Sequence, residues 1–167
     1  MSEFERIYDA QRLPAGEQQL EASEAERAAL AARFGLVAVK ALSAQITLIA
    51  DGPTVRATGR MQADVVQSCA VSGEDLAVRI AEPIALHFVP ASDTPLGDEI
   101  ELEAQDLDEI EMDAARFDLG EAVAQSMALG IDPYLEGPGA AEARRKAGIV
   151  SEGEAGPFAV LKGLLKE

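Results

Sequence analysis

Cys69 is the only cysteine and His87 the only histidine among 167 residues. A thiol becomes a nucleophile when a base within hydrogen-bond reach takes its proton, so this pair is the first place to look for chemistry. Both residues fall on predicted strands, where a lone histidine is more often structural than catalytic. A structural zinc site takes four Cys or His ligands, and the chain has two in total. Between Asp93 and Asp113 there are ten acidic residues and no Lys or Arg. That run lacks the alternating acids, central glycine and closing glutamate of a calcium-binding helix-loop-helix. Neither glycine-rich phosphate-binding pattern, GxxxxGK[ST] or GxGxxG after a strand, occurs. Thirty carboxylates guarantee chance pairs, and without a pocket none is singled out. The expectation is no catalytic residue, no metal and no cofactor.

The loudest global property is charge. Fourteen Lys and Arg stand against thirty Asp and Glu, a net charge of -16. Phosphate neutralisation supplies most non-specific nucleic-acid affinity, so this chain is repelled by nucleic acid at long range. The acidity either serves solubility alone or suits a basic partner such as a ribosomal protein. Aromatics make up 4% and Trp is absent, so nothing suggests the exposed-ring stacking platforms used for single strands. No small-molecule substrate is evident.

The elements that would position any site follow from spacing. Ser23 is an N-cap with Glu26 three residues on, and Gly35 closes the helix, giving a helix at Ser23–Phe34. Apolar alternation from Leu42 to Ala50, the Asp51-Gly52-Pro53 turn and a second alternating run form a hairpin. Strands are expected at Leu36–Ala50, Thr54–Val71 and Leu76–Val89, with a bulge or edge at Glu82-Pro83. The acidic stretch Asp93–Asp113 reads as a solvated loop. Asp118 caps a second helix ending at Leu129, with Glu121 completing a capping box and Phe117 as a staple. Leu119, Val123 and Met127 make its apolar stripe. The fold class is therefore α+β: an antiparallel sheet of three or more strands with two main helices on or beside it.

Residues 1–136 form a single α+β domain on this reading. Residues 137–167 form a mobile tail, in which Phe158, Leu161, Leu164 and Leu165 make a short docking segment. The start carries Glu3, Glu5 and Arg6 rather than an apolar run after a basic one, and no stretch has the length of a membrane span. The expected compartment is the cytoplasm, without membrane contact.

Three segments, in this order and spacing, resemble the YceD family of large ribosomal RNA subunit accumulation proteins. They are the helix from Ser23 to Leu36, the stretch Ala63–Val71 around Cys69, and Phe117–Val123 running on to Asp132-Pro133-Tyr134. The closing Pro157–Leu161 has the look of a family tail. The resemblance implies a bacterial, non-catalytic role in large-subunit ribosomal RNA accumulation, with binding to that RNA. Many relatives carry a Cys-x-x-Cys pair at the second segment. Here Ser72 stands where the second cysteine would be, which removes any dithiol or zinc role. Tyr134 is followed by Leu135 and Glu136, where relatives tend toward basic residues.

Candidate partner-binding residues are Asp106, Asp108, Glu109, Glu111, Asp118, Gly120, Glu121, Asp132, Pro133 and Tyr134. The basic triplet Arg144, Arg145 and Lys146 is the candidate RNA contact, and Cys69 marks the family cysteine position. Each also has a purely local role: caps for Asp118 and Glu121, packing for Gly120, a turn for Asp132-Pro133, a small buried side chain for Cys69. The leading function is a non-enzymatic factor that binds large-subunit ribosomal RNA, a basic ribosomal protein, or both. The alternatives are a small thiol-dependent enzyme using Cys69 and an acidic mimic of nucleic acid.

Overall fold

Alternation with period two, kept up over very long stretches, organises the chain. The structure is a computed structural model and describes residues 2–91 and 108–149. The docking segment near the carboxyl end, and Asp106 in the acidic stretch, lie outside the described residues. The chain divides into two compact units. One joins Met1–Gln67 to Ala77–Ile131, the other Ser68–Leu76 to Asp132–Glu167.

The first unit holds a five-stranded sheet. Its strands are β2 (Glu17–Glu21), β3 (Ala38–Asp51), β4 (Thr54–Ser68), β5 (Asp75–Pro90) and β6 (Asp108–Met112), side by side in that order. β1 (Ile7–Asp9) and β7 (Arg116–Asp118) form a separate antiparallel pair. The helices of this unit are α1 (Glu24–Phe34) and α2 (Leu119–Leu129). On β3 the apolar residues Leu42, Ala44, Ile46 and Leu48 are buried. On β4 they are Val55, Ala57, Met61, Ala63 and Val65. Ile80, Ile84, Leu86 and Phe88 continue the core on β5, and Leu119, Val123 and Met127 of α2 join it. Each Val, Leu, Ile, Met or Phe among them contributes roughly 1.5–3 kcal/mol when fully buried, and each alanine correspondingly less. The hairpin closes at Gly52, whose φ of 61° is the left-handed region that favours glycine. Gly59 is required for another reason: a Cβ there would stand 1.9 Å from the Gln45 carbonyl oxygen across the ladder.

The sheet is mixed, not purely antiparallel. β2 and β4 are each antiparallel to β3, but β6 runs parallel to β5, with Leu86 opposite Asp108 and Pro90 opposite Met112. Residues 91–107 connect the two, and a connection of that length permits the parallel return that a tight turn forbids. The end of the expected acidic loop is therefore a strand. The strand is short and charged: Ile110 and Met112 are the only apolar positions of β6, too few for alternation to mark it in a run of acids. β5 runs through Glu82-Pro83 as one strand. β2, which the sequence reading did not anticipate, pairs with β3 from Glu17 to Glu21.

Both expected helices form. Ser23 Oγ accepts from the Glu26 amide and the Glu26 carboxylate accepts from the Ser23 amide, a complete capping box. α2 has half of one. Asp118 accepts from the Glu121 amide, but the Glu121 carboxylate turns away to Arg33. Phe117 stacks on Phe88 with ring centroids 4.2 Å apart and on Tyr8 at 5.9 Å. Gly130 ends α2 where a Cβ would stand 2.4 Å from Ile80 Cγ2. Among the described residues no helix is long and apolar enough to cross a membrane.

The amino-terminal segment is held by ion pairs across long sequence distances. Arg6 forks onto both oxygens of Glu26 at 2.7 and 3.1 Å, and Arg33 bridges Glu3 and Glu121 at 2.8 and 2.6 Å. The Arg6 hydrogen bonds hold the Glu26 carboxyl down to about 2, and Arg33 does the same to Glu121. Both folded values lie below the unfolded value of about 4.3. Their stabilisation is thus present above that pH and lost as pH falls toward 2. These pairs are partly solvated, so each contributes on the order of 1 kcal/mol or less. Replacing Glu26 and Glu121 by Gln should lower stability at neutral pH and flatten the acid limb of a urea-midpoint-versus-pH curve between about 4.3 and 2. An unchanged limb would show that other carboxylates control acid unfolding.

Candidate functional site

The second unit is built around Cys69. After β4 the chain turns through residues 69–74, with the Gly73 amide bonded to the Cys69 carbonyl and the Cys69 amide to the Glu74 carbonyl. This turn aims two amides at the buried sulfur: Val71 N at 3.5 Å and Ser72 N at 3.3 Å. A third comes from distant sequence, Gly137 N at 3.3 Å. The Gly137 amide first, then Ser72 through its side chain and amide, lower the thiol to about 7, because each such bond favours the thiolate. A Cβ at Gly137 would stand 2.3 Å from a Glu74 carboxylate oxygen and 2.7 Å from Leu76 Cδ2, so a side chain there would displace both. Glu74 in turn accepts from the Gly139 amide at 2.8 Å, at the start of α3 (Ala140–Lys146). The Gly137-Pro138-Gly139 run is thus a close-approach device. Nothing in the sequence alone links it to Cys69.

The basic triplet lies in the last turn of α3, where cations complement the negative helix end. Arg144 is forked onto Glu136, and Lys146 Nζ is 2.8 Å from Glu142. Arg145 is exposed, and no carboxylate pairs with it among the described residues. Asp132 Oδ1 accepts from the Tyr134 amide at 2.9 Å, a local turn that leaves the Tyr134 ring 81% exposed beside Pro133.

In the first unit, Asp118, Gly120 and Glu121 come together at the start of α2. Asp118 Oδ1 accepts from the Arg6 amide at 2.8 Å and from the Glu121 amide at 3.0 Å, so one carboxylate caps the helix and pins the amino-terminal segment. A Cβ on Gly120 would stand 1.9 Å from the Phe4 carbonyl oxygen. The Glu121 carboxylate takes hydrogen bonds from Arg33, Gln125 and Ser2. All three residues have structural work to do here.

Asp108, Glu109 and Glu111 lie on β6, with the side chains of Glu109 and Glu111 exposed. His87 of β5 has Nε2 2.9 Å from Thr54 Oγ1 and Nδ1 3.9 Å from Glu109. Thr54 donates its hydroxyl proton to the Asp51 carbonyl at 2.8 Å, so His87 must be the donor to Thr54. The arrangement has the composition of a hydroxyl-histidine-acid relay, but its proton flow runs the wrong way for activating a nucleophile. Among the described residues no group of three or more His, Cys, Asp or Glu is placed to hold a metal ion.

The family model for large ribosomal RNA subunit accumulation protein YceD matches residues 57–165, well over half of the chain. The protein belongs to the YceD family. No significant match was found among curated proteins or among solved structures. The matched range of this YceD protein takes in β4, β5, the Cys69 turn, α2 and α3. It leaves out β1, β2, α1 and β3.

Two measurements test the local roles. Alkylation of Cys69 by iodoacetamide should rise with pH about a midpoint near 7, slowly because the sulfur is buried. Ser72→Ala should move that midpoint upward, and a midpoint unchanged from a free cysteine would refute the amide cradle. Asp118→Ala should cost about 0.5–2 kcal/mol from the lost cap, and somewhat more from the orphaned Arg6 amide, in urea unfolding. A variant as stable as the parent that no longer captures partners would make Asp118 a contact residue.

Proposed function

We propose that this YceD-family protein is a non-catalytic factor in large-subunit ribosomal RNA accumulation, acting during processing or assembly by binding that RNA, a basic ribosomal protein, or both. The family match carries the reading, since the family is described by accumulation of the large ribosomal RNA subunit. The charge supports a basic partner. The sequence holds ten acids between Asp93 and Asp113, and Glu109 and Glu111 are displayed on β6, a charge that suits a cationic protein in the cytoplasm. The triplet Arg144, Arg145 and Lys146 is the weaker half, because two of its three charges already face Glu136 and Glu142.

Capture from bacterial extract with and without nuclease divides the possibilities. Large-subunit ribosomal RNA and ribosomal proteins should co-purify. Asp106, Asp108, Glu109 and Glu111 replaced together by Asn and Gln should reduce the nuclease-resistant proteins. Recovery of neither the RNA nor ribosomal proteins would defeat the proposal. A second reading, a thiol-dependent enzyme, is favoured only by the lowered pKa of Cys69. Its burial and full set of amide donors suit a structural sulfur better.

A further inference from the structure

The outward face of β2, β3 and β4 is different in kind from the rest of the surface. Register places Gln19 opposite Gln45 and Gln45 opposite Arg60, forming one row across three strands. The adjacent row is Glu21, Ser43 and Gln62, and the row on the other side is Glu17, Thr47 and Thr58. No apolar or aromatic side chain belongs to these rows. Their sequence neighbours Leu20, Ala44, Ile46, Ala57 and Met61 are the buried ones. The first two rows, with Leu20 and Ala44 between them along the strands, line a groove of about 340 Å³.

Arg60 sits in this groove held by an amide instead of an acid. Its Nε and Nη2 donate to Gln45 Oε1 at 3.1 and 2.9 Å, and no carboxylate pairs with it among the described residues. Arg6, Arg33, Arg56, Arg79 and Arg144 each face a carboxylate. Among the described residues Arg60 shares the lack of one with Arg12, Arg27, Arg116 and Arg145, but it alone of these lies in this groove. Because the Gln45 oxygen is committed to Arg60, its NH₂ group points its donors elsewhere. The central row therefore presents a full positive charge and amide donors together. That combination suits a ligand that is anionic and rich in acceptors. A protein partner would be anchored through apolar or aromatic side chains. These three rows offer none, and the exposed Ile49 on β3 stands one row beyond them, opposite Arg56. Glu21, on the same groove, repels phosphate but accepts well from a hydroxyl. A ribose 2′-hydroxyl is such a donor, and it is what separates RNA from DNA.

We propose that the groove over β2, β3 and β4 is where the protein meets RNA, with Arg60 on a phosphate and Gln19, Gln45, Ser43, Gln62 and Glu21 on ribose hydroxyls and base edges. This rests on the ribosomal RNA reading above and gives it a surface. One phosphate held by one arginine makes a weak grip with shallow salt dependence, as an acidic chain requires.

The test is fluorescence anisotropy of the full chain with labelled oligoribonucleotides tiling large-subunit ribosomal RNA, beside deoxyribonucleotides of the same sequence. The parent should prefer RNA. Arg60→Gln should weaken binding roughly tenfold or more, the effect of losing a charge-assisted hydrogen bond. It should also lower the slope of log K against log salt by about 0.7, one phosphate on a single strand. Gln45→Ala should weaken binding while leaving that slope unchanged, and Glu21→Gln should erode the preference for RNA over DNA. Arg60 is exposed, so urea unfolding should show the variant folded. Binding unchanged in Arg60→Gln but lost in Arg145→Gln would move the RNA surface to the second unit, overturning this proposal and sparing the function. Loss of a nuclease-resistant protein from extract by Arg60→Gln, with RNA binding intact, would make the groove a protein site and also overturn it. A parent that binds no RNA fragment and recovers none from extract would defeat both.

Discussion

Gly120 has no Cβ because there is no room for one: the Phe4 carbonyl oxygen occupies the place. Much of the first unit depends on that approach. With the amino-terminal segment this close to the start of α2, the Arg6 amide reaches Asp118 and the Leu119 amide reaches the Arg6 carbonyl. Phe4 is then wholly buried, and Tyr8 lies against Phe117, which lies against Phe88 of the sheet. The same approach brings Glu121 within reach of Arg33 on α1. A single missing methyl group thus joins a terminal strand, two helices and the sheet through one set of contacts.

Local signals were legible where local physics decides the outcome. The capping box at Ser23, the glycine after Phe34, the hairpin turn at Gly52 and the Leu119, Val123, Met127 stripe all depend on residues a few positions apart, and all were readable. What the sequence concealed is long-range. β6 is parallel because residues 91–107 carry the chain back, a fact about topology that alternation does not encode. Glu121 looked like the second half of a capping box, but a guanidinium 88 residues away is the stronger partner. The cradle of Cys69 needs Gly137, and Arg60 stands out only once register sets it beside Gln45. Family residues such as Asp118 and Gly120 were legible as important. Their packing role was offered by the sequence, and the distances to Phe4 and Arg6 give it substance.

Charge is sorted as well as abundant. Cations in the first unit that sit between elements are clasped by acids, as Arg6 and Arg33 are, and their pairing ties the helices to the amino-terminal segment. On the sheet, Arg56 and Arg79 bridge to Asp51 and Asp64. Ten of the thirty acids, with no Lys or Arg among them, fall between Asp93 and Asp113. A strongly acidic protein presents an arginine among polar side chains more readily when many of its acids are gathered elsewhere, as these ten are in one stretch of sequence.

The clasp around Phe4 also dictates an order of events during translation. Ser2 is bonded to Glu121, 119 residues on, and the Arg6 amide to Asp118, 112 residues on. This segment therefore has no partner for these bonds until most of the residues that follow it have been made. Meanwhile β3 and β4 can pair as soon as both are made, since their hairpin is closed by Gly52. A nascent chain of this kind carries a folded hairpin and an unattached Phe4 segment at the same time. Closure of the first unit waits for α2, and contacts of such separation make the last step the slow one.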